Sequence, residues 1–301
     1  MLILVHRNKI TMLNIIDINS ETIYFIGDIH GNFGCIHNFI KRYGIRNSTL
    51  FFCGDCGFGF NKMSHYKEHV FPKLSKLLSK TNNYCVFIRG NHDDPDLYNS
   101  FVFNNKRIKA VPDYTIVNVF CENDKKTVLC IGGAISVDRS YRMKLMDKAI
   151  NEYCFYHFCD KEEARKKIQK IYWSNESCYY DKEPLDGLRL NNINVDIVAT
   201  HTCPSFCKPL TKDGISYWLT NEKCSDIDEL SNRDLVKDLD NERQAMTNVY
   251  VKLKNDKHPL KYWFYGHFHW HNFENIDGVS FYLLDMEHNG NIDAIPVRVR
   301  G

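Results

Sequence analysis

The sequence predicts an α/β fold with strands and helices intermixed, and three observations carry that prediction. Runs of β-type residues end abruptly at glycines, beginning with YFIGDIHG at Tyr24–Gly31. After the first of these runs, apolar residues recur at spacings of three and four, which is the helical half of a βαβ unit. From Arg107 to Gly133, IKAV, TIVNVF and TVLCIGG follow one another as strands with no long helix between them.

Residues 1–20 carry no readable pattern, and Met12 is a candidate alternative start. Thr22–Ile26 is the first strand, and past the Gly31 turn Phe33, Ile36, Ile40 and Tyr43 form a helical stripe. Leu50–Cys53 is the second strand; it runs into GDCGFGF, whose glycines forbid regular structure. Lys62–Lys80 reads as a helix with Leu74, Leu77 and Leu78 on its apolar face, interrupted at Pro72 because proline removes a backbone donor and clashes with the preceding turn. Tyr84–Ile88 is a third strand, ending in RGNHDDP. The polar turn Glu122–Lys126 joins two strands as a hairpin. Helices return at 141–171, where Asp160 and Glu163 form a capping box ahead of Ala164, Ile168 and Ile171. Val195–Thr200 is a buried strand. In the polar segment 205–257, Leu235, Leu239, Met246, Val249 and Leu253 share one face of a helix packed outside a sheet. Lys261–Tyr265 is a strand entering GHFH, and HNFENIDG, VSFYLLD and IPVRVR close the chain as a meander. Residues 1–301 are expected to form a single domain, with helical insertions around 138–190 and 205–257.

Composition narrows the class. A chain of 301 residues that is 44% hydrophobic and 25% charged has the make-up of a globular protein rather than a disordered one. The formal net charge of +2 gives no electrostatic footprint for a nucleic-acid binder. The opening MLILV is followed at once by His6, Arg7 and Lys9, not by a cleavage site, and no run is long enough to span a membrane. The 12 cysteines are therefore read as reduced thiols of a cytoplasmic protein.

The strand ends carry chemistry. Asp28 and His30 stand two apart, and on extended backbone residues at i and i+2 point the same way, so both can close on one ion. Metal-type ligands recur at Asp55, Asn91, His201, His267 and His269, each after a β-type run. Imidazoles, carboxylates and one amide oxygen suit manganese, iron or zinc, whereas magnesium and calcium sites are built mainly from oxygen. The set is too large for one ion. Two divalent ions about 3.5–4 Å apart, bridged by a carboxylate, can clamp the attacking and leaving oxygens of an in-line displacement, which is phosphoester chemistry.

At these residues the chain resembles the calcineurin-like metallophosphoesterases, whose pattern is D-x-H, GD, GNH followed by an acid, a lone His, and GHxH; all five blocks occur here in order. The resemblance implies an αββα four-layer sandwich of two mixed β-sheets flanked by helices. It also implies that Asp28, His30 and His269 hold one metal, that Asn91, His201 and His267 hold the other, and that Asp55 bridges both. IGGAISVDR at 131–139, Tyr141-Arg142 and Trp173-Ser174-Asn175-Glu176 look like elements of bacterial and phage members. The phosphoprotein phosphatase branch follows its second Asp with Asp-Arg-Gly and ends the third block in Glu. Here Cys56-Gly57-Phe58-Gly59 and Asp93 stand instead, which points away from protein dephosphorylation.

The expected activity is hydrolysis of a phosphomonoester or phosphodiester by attack of a metal-bridging hydroxide, with two divalent ions as cofactors and manganese the leading choice. His92, directly after Asn91, is the expected general acid, with Asp93 accepting from its far ring nitrogen. Arg139 and Arg142 are candidates to grip substrate phosphate. Long segments able to wall the site favour a small substrate, a nucleotide or phosphorylated metabolite, over a folded phosphoprotein. His271 and His288 are the alternatives to His201. Cys53 and Cys56, with Cys203 and Cys207, offer either four buried small hydrophobes or a structural zinc, which would need all four thiolates to converge. A non-catalytic scaffold of the same fold, a nuclease and a Ser/Thr protein phosphatase are the alternative functions. Oligomeric state is not legible.

Overall fold

Aromatic and β-branched residues dominate the runs that become strands, and these pair into two sheets. The computed structural model of the protein describes residues 13–100, 103–209 and 234–300. One sheet orders five strands as β12 (Ala294–Arg298), β2 (Thr22–Ile26), β3 (Ser48–Cys53), β4 (Tyr84–Ile88) and β5 (Ile108–Ala110). Its strands β2 to β5 are parallel, and β12 lies antiparallel on the edge with Pro296 opposite Tyr24. An edge is where a strand tolerates a residue that cannot donate to the ladder. The other sheet orders seven strands as β1 (Ile15–Asn19), β6 (Thr115–Cys121), β7 (Asp124–Ile131), β8 (Ile197–Thr200), β9 (Tyr262–Tyr265), β11 (Val279–Leu283) and β10 (Asn272–Ile276).

The central strands are apolar on both faces, so they are covered on both sides. Phe25, Phe51 and Val86 of one inner face meet Val117, Val128, Ile197 and Phe264 of the other. The rings of Phe25 and Phe264 stack at 3.8 Å across that interface. Outside the five-stranded sheet pack α1 (Gly34–Arg42) and α2 (Phe71–Thr81), through Ile36, Phe39, Leu74 and Leu78. Three helices, α3 (Pro95–Asn99), α4 (Arg139–His157) and α5 (Lys161–Lys167), lie in the connections. Outside the seven-stranded sheet pack α6 (Lys182–Leu190) and α7 (Leu235–Asn255), through Leu185, Met246, Val249 and Leu253. The result is a helix–sheet–sheet–helix sandwich, the αββα arrangement.

Several local expectations are corrected. The interruption expected at Pro72 takes the form of a change of helix type: a helical turn at Met63–His65 passes into a π-helical turn at Tyr66–Val70, and α2 starts at Phe71 with Pro72 in its first turn. Asp160 caps α5 by accepting from the Glu163 N–H at 2.8 Å, but the helix ends at Lys167 and the backbone at Ile168 is extended, leaving Ile168 and Ile171 outside it. The closing strands are no meander: β10 and β11 pair as a hairpin in one sheet, and β12 crosses to the other. Strand β1 went unread because its pattern alternates weakly at a sheet edge, with only Ile18 buried. Met12 lies outside the described residues. Among the described residues no helix is long and apolar enough to cross a membrane.

Candidate metal centre

Five parallel strands, β2, β3 and β4 in one sheet and β8 and β9 in the other, end beside one another, and the segments that follow carry the candidate ligands. Ligand crevices form at such carboxyl ends because the chain must turn there and backbone groups are left free. The turns are sharp. His30, Asp55, His267 and His269 have φ of 43°, 46°, 72° and 51°, a left-handed conformation that non-glycine residues seldom hold and that concentrates at functional sites. This corrects the extended i, i+2 geometry expected for Asp28 and His30: the pair meets through a turn, with His30 Nε2 at 3.8 Å from Asp28 Oδ2.

Donor atoms of Asp28, His30, Asp55 and His269 all lie within 4.8 Å of one another. His269 Nε2 is 3.1 Å from Asp28 Oδ2 and 3.2 Å from His30 Nε2. Across from them, His201 Nε2 is 2.9 Å from Asn91 Oδ1 and 3.3 Å from Asp55 Oδ1, so Asp55 stands between the two groups. The His267 ring lies 5.0 Å from that of His201, and the His267 backbone N–H donates to Asp28 Oδ1. All seven ligand-type residues are thus brought to one place. The alternatives to His201 are not: His271 is exposed, and His288 pairs with Asp285 at 3.1 Å. Glycine is needed where these segments touch, since a Cβ on Gly266 would overlap Asp28 Oδ1 and one on Gly54 would overlap the His201 ring.

Orientation is set one layer out. His201 Nδ1 lies 2.7 Å from the Cys53 carbonyl, which can only accept, so the proton sits on Nδ1 and Nε2 faces the site. Asn91 is turned by a longer chain. Its Nδ2 donates to Ser136 Oγ at 2.9 Å, and Ser136 Oγ and N–H donate to the two carboxyl oxygens of Glu176 at 2.7 Å each, which leaves Asn91 Oδ1 toward His201. Ser136 and Glu176 were not assigned a role from the sequence; the signal available was their place in IGGAISVDR and WSNE. Arg89 is also structural, tied to Asp113 at 2.7 Å and to the carbonyls of Glu176 and Ser177.

Two expectations are corrected here, and the choice left open for the thiols is decided. Asp93 does not face the His92 ring: it accepts from the N–H groups of Cys56, Gly57, Phe58 and Gly90 and from the Tyr98 hydroxyl, clamping two active-site loops together. His92 Nε2 instead lies 3.7 Å from Asp55 Oδ2 and 3.1 Å from Arg142 Nη2. Because a guanidinium has no acceptor, Nε2 accepts in this arrangement and the imidazole is neutral there. Arg139, expected to grip phosphate, is fully buried, with Nη1 2.7 Å from Asp238 of α7. The four thiols do not converge, since Cys53, Cys56 and the Cys203/Cys207 pair sit in three different apolar clusters. They are small buried hydrophobes.

The electrostatics call for positive charge. Burial opposes ionisation of Asp28 and Asp55, yet the surrounding imidazoles hold Asp28 below and Asp55 well below the usual carboxylate range. Burial likewise depresses His201, but Asp55 and Asp28 outweigh it and push the imidazole up to about 10. Burial and the neighbouring His201 charge pull His267 down to about 3. Asp28 Oδ2 is buried and accepts no well-aligned hydrogen bond. Two buried carboxylates amid imidazole nitrogens and one amide oxygen form a donor set that fits divalent transition ions.

The sequence profile described as calcineurin-like phosphoesterase matches residues 21–271. No curated protein sequence matches the chain. Among solved structures, the chain is similar to a dimetal phosphatase from Danio rerio, at 12% identity and a TM-score of 0.48 with 93% of each chain covered. It is also similar to a putative 5′-nucleotidase from Staphylococcus aureus, at 13% identity and a TM-score of 0.44, covering 92% of this chain and 54% of the other. A phosphopantetheinyl hydrolase from Mycobacterium tuberculosis aligns at 12% identity and a TM-score of 0.39, covering 92% and 96%.

Proposed function

The chain belongs to the calcineurin-like phosphoesterase family, and from that premise we propose that it hydrolyses a small phosphomonoester or phosphodiester, of the nucleotide or phosphorylated-metabolite class, with two divalent ions. The observation that carries the proposal is the convergence of Asp28, His30, Asp55 and His269 within 4.8 Å in a buried setting, with Asn91, His201 and His267 alongside. Asp28, His30 and His269 would hold one ion, Asn91, His201 and His267 the other, and Asp55 both. Divalent ions bound there, manganese the first choice, supply charge stabilisation to the phosphoryl oxygens and acidify a water for attack.

The protein's own part is positioning. Arg142, held by Asp138 at 2.7 Å and by the Ile171 carbonyl at 3.2 Å, presents Nη2 at the edge of the cluster, where a phosphoryl oxygen is its natural partner. An ester oxygen entering between Arg142 and His92 takes the place of the contact between them. His92 then faces the departing alcohol as its proton donor, while phosphate charge favours the imidazolium that burial disfavours.

The test is a screen of purified protein with added Mn²⁺ against aryl and alkyl monoesters, aryl diesters, cyclic nucleotides and a phosphopeptide. Turnover of small esters is expected; inactivity on all of them with metal bound would contradict the proposal. In the same assay His92→Ala should lose about 10²–10⁴-fold on alkyl esters and much less on nitrophenyl esters, whose leaving group needs little protonation. Equal losses on both would reduce His92 to a phosphate-positioning residue.

A further inference from the structure

Beside His92 and Arg142 opens a cavity of about 550 Å³ that continues the metal centre outward between the Gly57–Phe60 turn, α4 and the segment after α5. Both residues line it, so whatever is attached to a phosphoryl group at the ions on this side enters it. Its volume is that of a small-molecule site. Phe60, Tyr141, Leu145 and Ile171 give it an apolar wall, and Asp138, Gln169 and Lys170 join His92 and Arg142 as its polar members. Tyr141 and Leu145 stand on α4 facing this space and are 54% and 39% exposed, so core packing does not account for them. The Phe60 ring is held 6.5 Å from that of His92, at the boundary between cavity and cluster.

Resting on the phosphoesterase proposal above, we infer that this cavity receives the leaving alcohol and selects one that carries an aromatic ring, an aryl or nucleoside phosphoester. A flat ring can pack on Phe60, Tyr141 and Leu145 and release water from them. An alcohol with no aromatic ring, such as ethanol or ribose alone, leaves these apolar walls to water and gains nothing from them. Gln169 donates to the Gly59 carbonyl at 2.7 Å, which ties the segment after α5 to the Gly57–Phe60 turn.

The test compares esters matched in alcohol acidity but not in ring content. Benzyl against ethyl phosphate, and dibenzyl against diethyl phosphate, cover monoester and diester chemistry; adenosine 5′-monophosphate against ribose 5-phosphate separates a nucleoside from a simple aryl group. We expect kcat/KM to favour the ring-bearing member of at least one pair by about tenfold or more. Leu145→Asp should bring that ratio close to one, chiefly through KM, whereas Leu190→Asp, 69% exposed on α6, should leave it intact. Turnover of both members of every pair at equal kcat/KM, or a preference untouched by Leu145→Asp, would overturn the inference while leaving the phosphoesterase proposal standing. No turnover of any ester by the metal-loaded protein would overturn both.

Discussion

An amide side chain is a weak metal ligand whose oxygen and nitrogen must be told apart, and here the chain from Asn91 through Ser136 to Glu176 does so. Removing the hydroxyl leaves Asn91 free to turn its NH₂ toward His201. Ser136→Ala should therefore weaken binding at one of two Mn²⁺ sites about 10–100-fold and leave the other near its original affinity, read by titration calorimetry. Two unchanged sites would show that Asn91 holds its orientation without help. The seven candidate ligands drew notice in the sequence because each follows a strand end. Ser136 and Glu176 did not, because their partners lie 45 and 40 positions away and a serine or a glutamate in isolation carries no mark of burial.

At the scale of elements, two connections are joined through one carboxylate. Asp93 accepts three N–H groups from the turn after β3 and one from the turn after β4. Asp93→Ala would leave these buried donors unpaired at about 1–3 kcal/mol each. The thermal midpoint should fall by on the order of 10 °C, with the loops at 54–58 and 90–94 losing hydrogen-exchange protection first. A shift of a degree or less would show that water replaces the carboxylate. Strands β2, β3 and β4 were readable because they are apolar on both faces, whereas the form of the break before Pro72, a π-helical turn, was not, since a proline shows that helical bonding must change there but not how. The neighbours of His92 were misread for a related reason: adjacency in sequence suggested Asp93, but backbone donors claimed that carboxylate first.

For the molecule as a whole, the order of strands and motifs made the sandwich legible, and the helices that wall the centre were located without their contacts. Those contacts bury an acid group that leaves a signature. Burial raises Glu242 of α7 to about 7, above the ordinary 4.5. A folded pKa above the unfolded one means stabilisation that is full below about pH 4.5 and is lost as pH rises through about 7. Glu242→Gln should lose less stability than the original between pH 5 and 8, by on the order of a few kcal/mol in denaturant titrations. Parallel slopes would contradict burial of this group in protonated form. The central claim, two ions joined by one carboxylate, is tested most directly by titrating Mn²⁺ into the metal-free protein and into Asp55→Asn and counting bound ions. Two ions per chain in the original, with both sites weakened and turnover lost in the variant, is the predicted result; two tightly bound ions and near-original turnover in Asp55→Asn would contradict it.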